Sequence, residues 1–254
     1  MDEDVSVQDP FGEARRVLSF SYGQGDGDSH PLWIILSPDR TVEENLAIDE
    51  ALTRGAAQDG RRVLRLWWGG VPTVVTGRSE KPEVVADLEA CRQLGVRVLQ
   101  RASGGGTVLQ TPNVLNYSLT GPAPAMLDIR GVFRLGARLL CGALARLGLQ
   151  GEMMGISDVA VGELKISGNA MAKRWGGLLL HGTLLRDLDM EMVESCLRHP
   201  PREPDYRQGR NHRVFLTTLQ AEGVHATRGQ IEEAFIASAE EMVVEGALEG
   251  FPFE

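Results

Sequence analysis

The 254-residue chain is poor in the residues that staple or anchor a protein. It has three cysteines, Cys91, Cys141 and Cys196, far apart and without CxxC spacing. An odd number in that pattern offers neither a disulfide framework nor a thiolate zinc site, and it points to a reducing compartment. The acidic start MDEDVSVQDPFGEARR has no apolar centre and does not read as a signal peptide. No apolar run is long enough to cross a bilayer. Positive charge is in the minority, with 26 Lys and Arg against 35 Asp and Glu and a pI near 5.2. That balance disfavours nucleic acid as the main partner, because phosphate binding needs concentrated cations. The expectation is a cytoplasmic protein that engages neither nucleic acid nor membrane.

What is present is ordinary for a globular chain: 43% hydrophobic and 24% charged residues, enough for a substantial core. Residues 1–31 read as a flexible N-terminal arm, because YGQGDGDSHP (22–31) is rich in Gly, Asp and Ser. Residues 32–254 read as a single domain. WIIL (33–36) is an expected strand, and Thr41 with Glu44 forms a capping-box pattern for a helix ending near Gly60. RVLRLWW (62–68) and PTVVTG (72–77) flank a Gly-Gly-Val-Pro turn, a hairpin pattern. PEVVADLEACRQLG (82–95) reads as one short helix, opened by Pro and closed by Gly. VRVLQ (96–100), NVLNYSLTG (113–121) and the run 158–188 read as strands, the last joined by Val-Gly-Glu and Trp-Gly-Gly turns. Residues 129–147 and about 228–245 carry helical periodicity. Strands and helices mix without a βαβ rhythm, which predicts an α+β fold with a mixed, mainly antiparallel sheet flanked by helices.

Three stretches carry chemistry. LQRASGGGTVLQ (99–110) places Gly104, Gly105 and Gly106 in an apolar run beside Arg101, Ser103 and Thr107. Glycine admits positive φ and close ligand approach, and loop amides with an arginine fork can hold an anion. A flexible hairpin loop is the plain alternative. GELKISGNA (162–170) carries Lys165, followed by Ser167, Gly168, Asn169 and Ala170, with Asp158 on the preceding strand. A strand lysine points to solvent by default; chemically it can stabilise charge at a reacting carbonyl or phosphoryl group. Asp158 is either a solvated turn residue or an Mg²⁺ ligand beside phosphates. LLLHGTLL (178–185) sets His181 and Gly182 in an apolar strand, where the histidine is either a core residue or part of a site. Glycine there points to close approach of another backbone or a ligand. The Trp-Gly-Gly turn is a candidate flap over a nucleotide. Cys141 shares a helix face with Arg134 and Arg138, yet no cysteine lies in a Gly-rich turn or beside a patterned histidine. Structural roles are expected for all three.

ENLAIDEAL, LRLWWGGVPTVVTGRSE, RASGGGTV, LNYSL, ISDVAVGELKISGNA and LLLHGTLL occur in that order over residues 43–219. This resembles the lipoate–protein ligase family, within the group that includes biotin ligases and octanoyltransferases. The resemblance implies ATP- and Mg²⁺-dependent activation of lipoate to its adenylate, then acyl transfer to a lysine of a lipoyl-accepting domain. By position, Arg101, Ser103, Gly104, Gly105, Gly106 and Thr107 resemble the loop lining the lipoate and adenylate site. Lys165 resembles the lysine that contacts the adenylate, and Asp158 the acidic position near phosphate and metal. Ser167, Gly168, Asn169 and Ala170 resemble the turn that closes on the nucleotide, and His181–Gly182 the pair near the acyl chain.

Three departures stand out. Gln100 replaces the first of two arginines common before the glycine run, and Asn113 replaces a glycine. No second, C-terminal domain is expected, so the family comparison implies either an accessory subunit or a reaction that needs none. A cysteine-dependent octanoyl or lipoyl transferase is the rival reading, but LQGEMMGISD (149–158) lacks the cysteine of that branch. Biotin ligation is disfavoured because RASGGG stands where a Gly-Arg-Gly-Arg loop would be. A non-catalytic acyl-binding protein is the third reading. The Arg-rich segment 199–213 could dock an acidic acceptor, reach ATP, or simply be a solvated loop.

Overall fold

The computed structural model describes residues 14–18 and 32–247. Eight strands form one sheet: β1 (Ala14–Leu18), β2 (Leu32–Leu36), β3 (Arg62–Trp68), β7 (Val114–Pro122), β8 (Glu152–Met154), β9 (Asp158–Val161), β10 (Leu164–Arg174) and β11 (Gly177–Leu185). Their spatial order is β1-β2-β3-β7-β11-β10-β9-β8, antiparallel throughout except for the parallel β2/β3 pair. A second sheet, ordered β5-β4-β6, contains β4 (Thr73–Thr76), β5 (Arg97–Gln100) and β6 (Val108–Gln110). The α+β fold with a mainly antiparallel sheet is therefore as expected. No described helix is long and apolar enough to cross a membrane.

Strand alternation gives the large sheet two different faces. Leu64, Leu66, Leu115, Tyr117, Leu119 and Leu180 face α4 (Ile129–Arg146) and α7 (Arg228–Val244), forming the main core. The opposite face lies under α1 (Val42–Asp59) and is polar at its centre. Helix α1 opens with the expected Thr41/Glu44 capping box and closes on Gly60 at φ 71°. From it Asp49, 2% exposed, accepts hydrogen bonds from Arg65 (2.9 Å), Trp67 Nε1 (3.1 Å) and Ser118 Oγ (2.8 Å). Asn45 accepts a further bond from Arg65, 2.5 Å from its side-chain oxygen. This buried network registers α1 over β3 and β7.

The small sheet packs against α1 through Val75 and Val42 on one face. Its other face covers Cys91 and Cys196, on α3 (Leu88–Gln93) and α5 (Met190–Cys196). Three local expectations change here. Residues 62–77 are not a hairpin: β3 joins the large sheet and β4 the small one, and Gly69 passes where a Cβ would strike the Thr111 carbonyl. Residues 82–95 are two helices, α2 (Pro82–Val85) and α3, because Ala86 is extended and bridges Leu197 while Asp87 caps α3 anew. Within the expected arm, Ala14–Leu18 pair with β2 as an edge strand; residues 1–13 and 19–31 lie outside the described residues.

Removing the carboxylate beneath α1 should leave Arg65 as a buried charge without its acid. Asp49→Ala is expected to lower unfolding free energy by about 3–5 kcal/mol, measured by urea denaturation.

Candidate active site

The site begins with a register shift. Lys165 pairs with Ala160 but Ser167 with Val159, so one extra residue, Ile166, is bulged into the core. Without the bulge Lys165 and Gly168 would face opposite sides of β10. With it, Lys165, Gly168 and Asp158 share the face under the small sheet. Lys165 Nζ lies 2.9 Å from Asp158 Oδ1. A Cβ at position 168 would stand 2.9 Å from that Nζ, so Gly168 provides the space the lysine occupies. The lysine thus points into the site and not to open solvent.

The glycine loop is not a hairpin either, since β5 and β6 both pair with β4 and not with each other. Arg101, 8% exposed, holds the loop from inside. Its Nη2 donates to the Gly104 and Gly106 carbonyls (2.6 and 2.7 Å), Nη1 to Val75 O (3.3 Å), and Nε to Ser103 Oγ (3.0 Å). Burial lowers its pKa to about 10, with Glu80 opposing, and it remains charged. The expected free anion fork is therefore engaged with loop carbonyls. Ser103 Oγ in turn lies 2.6 Å from His181 Nε2. Since Arg101 donates to Ser103, the hydroxyl proton is directed to the imidazole, which accepts as a neutral ring. Burial and the Arg101 charge push the His181 pKa down to about 3. The contact ties the glycine loop to the strand that carries His181. Gln100 donates to the Gly77 and Glu80 carbonyls (3.4 and 3.2 Å), steadying the neighbouring turn.

Two connected cavities lie between the sheets. A narrow one of about 130 Å³ is lined by Leu46, Val75, Arg101, Gly105, Ala170 and His181. A wide one of about 600 Å³ is lined by Glu80, Val85, Tyr206, Arg207, His212 and Phe215. Lys165, Asp158, Gly168, Gly106 and Thr107 line both and mark the junction. One wall of the wide cavity comes from the Arg-rich segment, whose outer side chains are exposed while Arg207 is buried. Arg202 and Arg207 line it, while Arg210 turns back onto Glu163 O and Tyr206 O, and Arg213 pairs with Glu194. This segment contains α6 (His212–Phe215). Tyr206 donates to Asp158 Oδ2 at 2.9 Å.

Other expected site residues have different duties. Ser167 is wholly buried, lines neither cavity, and its hydroxyl has no hydrogen-bond partner among the described residues. Asn169 anchors Ser157 O (2.7 Å) and accepts from the Tyr117 hydroxyl. Its side chain, together with Tyr117, fills the space a Cβ at Gly182 would need, so that glycine admits protein atoms. Residues 167–170 are strand, not a closing turn. The Trp-Gly-Gly turn does not cover the site: Trp175 carries the guanidinium groups of Arg54 and Arg174 over its ring, 4.0 and 4.5 Å from the centroid, and a Cβ at Gly176 would meet Ala57. It lies nine strand residues beyond Lys165, roughly 30 Å at the usual rise. Sequence reading missed Tyr206 and Glu80. Glu80 accepts from Thr107 Oγ1 (2.6 Å) and Gly77 N (3.1 Å), joining the two loops.

A profile for the lipoyl protein ligase A/B catalytic domain matches residues 41–240. The chain belongs to that family. A protein from Aeropyrum pernix, provisionally named lipoate-protein ligase A, is 34% identical over 153 residues, spanning 60% of this chain and 57% of its own. The match thus covers little more than half of that relative. Lipoate-protein ligase A subunit 1 from Thermoplasma acidophilum is 29% identical, over 66% of this chain and 67% of that one. Octanoyltransferase LipM from Carboxydothermus hydrogenoformans is 29% identical, over 78% and 81%. Among solved structures, the bi-partite T. acidophilum lipoate protein ligase with its E2 lipoyl domain aligns with a TM-score of 0.71 at 26% identity, covering 84% of this chain and 82% of that one. A lipoate-protein ligase A bound with ATP aligns with a TM-score of 0.70 at 25% identity, covering 84% of both chains.

No cysteine of this chain lines either cavity. Cys141 is on α4, beneath the opposite face of the sheet, where burial and then Glu152 raise its thiol pKa. Cys196 is pushed up to about 12 by burial and by Cys91. For a divalent cation the junction supplies a single carboxylate, Asp158, and the described residues contain no cluster of three His, Cys, Asp or Glu.

Below about pH 6.5 the unfolded chain protonates His181, while the folded chain does so only near pH 3. Stability should therefore fall as pH drops through that window, by up to about 1.4 kcal/mol per pH unit from this residue. His181→Gln is expected to flatten the slope between urea denaturations at about pH 7 and about pH 5. His212, whose pKa burial lowers to about 4, would account for part of what remains.

Proposed function

We propose that this chain is the catalytic part of a lipoate–protein ligase, which activates lipoate or octanoate with ATP and passes the acyl group to a lysine of a lipoyl-accepting domain. The observation that carries this reading is the placement of Lys165 at the junction of the narrow and wide cavities. The acyl chain would occupy the narrow cavity, where burial of each CH₂ contributes about 0.8 kcal/mol. The nucleotide would occupy the wide one.

A carboxylate is a poor acyl donor until it carries a good leaving group. Its oxygen attacks the α-phosphorus of ATP, forming the acyl–phosphate bond and releasing pyrophosphate. Lys165 Nζ, with Gly106 beside it at the junction, would face the charge that builds there. The acceptor's amine then attacks the acyl carbonyl, forms the amide and releases AMP. Mg²⁺, when bound, would neutralise phosphate charge, and Asp158 is the junction carboxylate that would hold it. The loop from Arg101 to Thr107 and the pair His181–Gly182 shape the acyl side in this reading.

The matched subunit 1 and the bi-partite structure from T. acidophilum support a second polypeptide as partner. The similarity to LipM keeps a thioester transferase as the second reading. The absence of cysteine from both cavity linings favours the ligase.

Incubation with lipoate, ATP and Mg²⁺ is expected to yield lipoyl-AMP by mass spectrometry. Lys165→Ala should reduce its formation by roughly 100-fold or more, and Cys141→Ser should leave it unchanged. Acyl transfer from octanoyl carrier protein that disappears in Cys141→Ser, with no adenylate, would replace the ligase by the transferase.

A further inference from the structure

Lys165 reaches the junction on a four-carbon stem, and its Nζ is held by the Asp158 carboxylate at 2.9 Å. A carboxylate held at one oxygen can rotate about its Cβ–Cγ bond. Here the second oxygen, Oδ2, accepts the Tyr206 hydroxyl at 2.9 Å, which fixes the plane of the group. Tyr206 does not come from the sheet that carries Lys165 and Asp158. It comes from the segment that walls the wide cavity.

That segment is braced by bonds of its own. Glu203 accepts from His199 (2.9 Å) and Gly209 N (2.7 Å) and lies 3.5 Å from Arg207. Arg210 clasps the Tyr206 and Arg207 carbonyls at 2.7 and 3.0 Å. The Tyr206 ring leans on Phe215, with centroids 5.2 Å apart, and lies over Gly155. The hydroxyl is thus delivered by a preassembled unit.

We infer that Tyr206 is a positioning residue: through Asp158 it aims Lys165 Nζ into the junction and couples that aim to the seating of the wall segment 199–210. The phenol is the donor of this bond, since the carboxylate oxygen can only accept. Loss of the hydroxyl leaves the wall in place but frees the carboxylate plane, and the lysine with it. The catalytic consequence rests on the ligase reading; the geometric one does not.

Tyr206→Phe keeps the ring against Phe215 and removes only the donor. The chain has three lysines, Lys81, Lys165 and Lys173, so labelling by an amine-acylating reagent can be resolved by peptide mass spectrometry. Relative to exposed Lys81, Lys165 should label at least about threefold faster in Tyr206→Phe, because a hydrogen bond to a charged group has been lost. With lipoate and ATP, kcat for adenylate formation should fall about tenfold with KM for lipoate unchanged and thermal stability preserved. In an Asp158→Asn background the same change should add no further effect on Lys165 labelling. Equal labelling in parent and variant, or an undiminished effect in the Asp158→Asn background, would overturn the inference. Absence of adenylate from the parent would sink the ligase reading alone, since labelling still tests the geometry.

Discussion

The arrangement depends on a single bulge in β10. A strand alternates its faces with period two, so three residues of separation place Lys165 and Gly168 on opposite sides unless one residue is extra. The extra residue is Ile166, which enters the core while Lys165 stays under the small sheet. The bulge therefore sets an ion pair, the glycine that leaves space for it, and the meeting point of two cavities on one face. Apolar burial of Ile166 and a charged pair at the junction are two consequences of one backbone irregularity.

Around that point the polar groups are stacked in tiers. Asp49, Arg65 and Ser118 fix α1 to the sheet, and α1 with the small sheet roofs the narrow cavity. Arg101 holds the glycine loop by its carbonyls, and Ser103 links that loop to His181 on β11 (Gly177–Leu185). The buried arginine thus acts on its own loop, and Lys165 stands at the junction of the cavities.

Legibility followed the range of the interactions. The Thr41/Glu44 box, Gly60, and the periodic helices were readable because caps and amphipathic faces are local. The hairpin expected at 62–77 failed because pairing partners are chosen by the whole sheet: β3 has more to bury beside β7 than beside four-residue β4. The single helix expected at 82–95 failed where a distant residue, Leu197, recruits Ala86 into a bridge. At the site, residue types were read well and duties less so. Gly182 and Asn169 sit in the expected strand pair, yet the close approach there is between protein groups.

By itself the sequence determined the classes of element, the α+β mixture, the family, and the candidacy of Lys165, Asp158 and the glycine loop. These depend on residue type, spacing and order, which the chain states directly. Tertiary structure alone decided that Arg101 serves its own loop, that the Arg-rich segment is a cavity wall, and that Tyr206 completes the Asp158–Lys165 pair. Each of those joins residues far apart in the chain, by hydrogen bonds whose geometry exists only after the two sheets have packed.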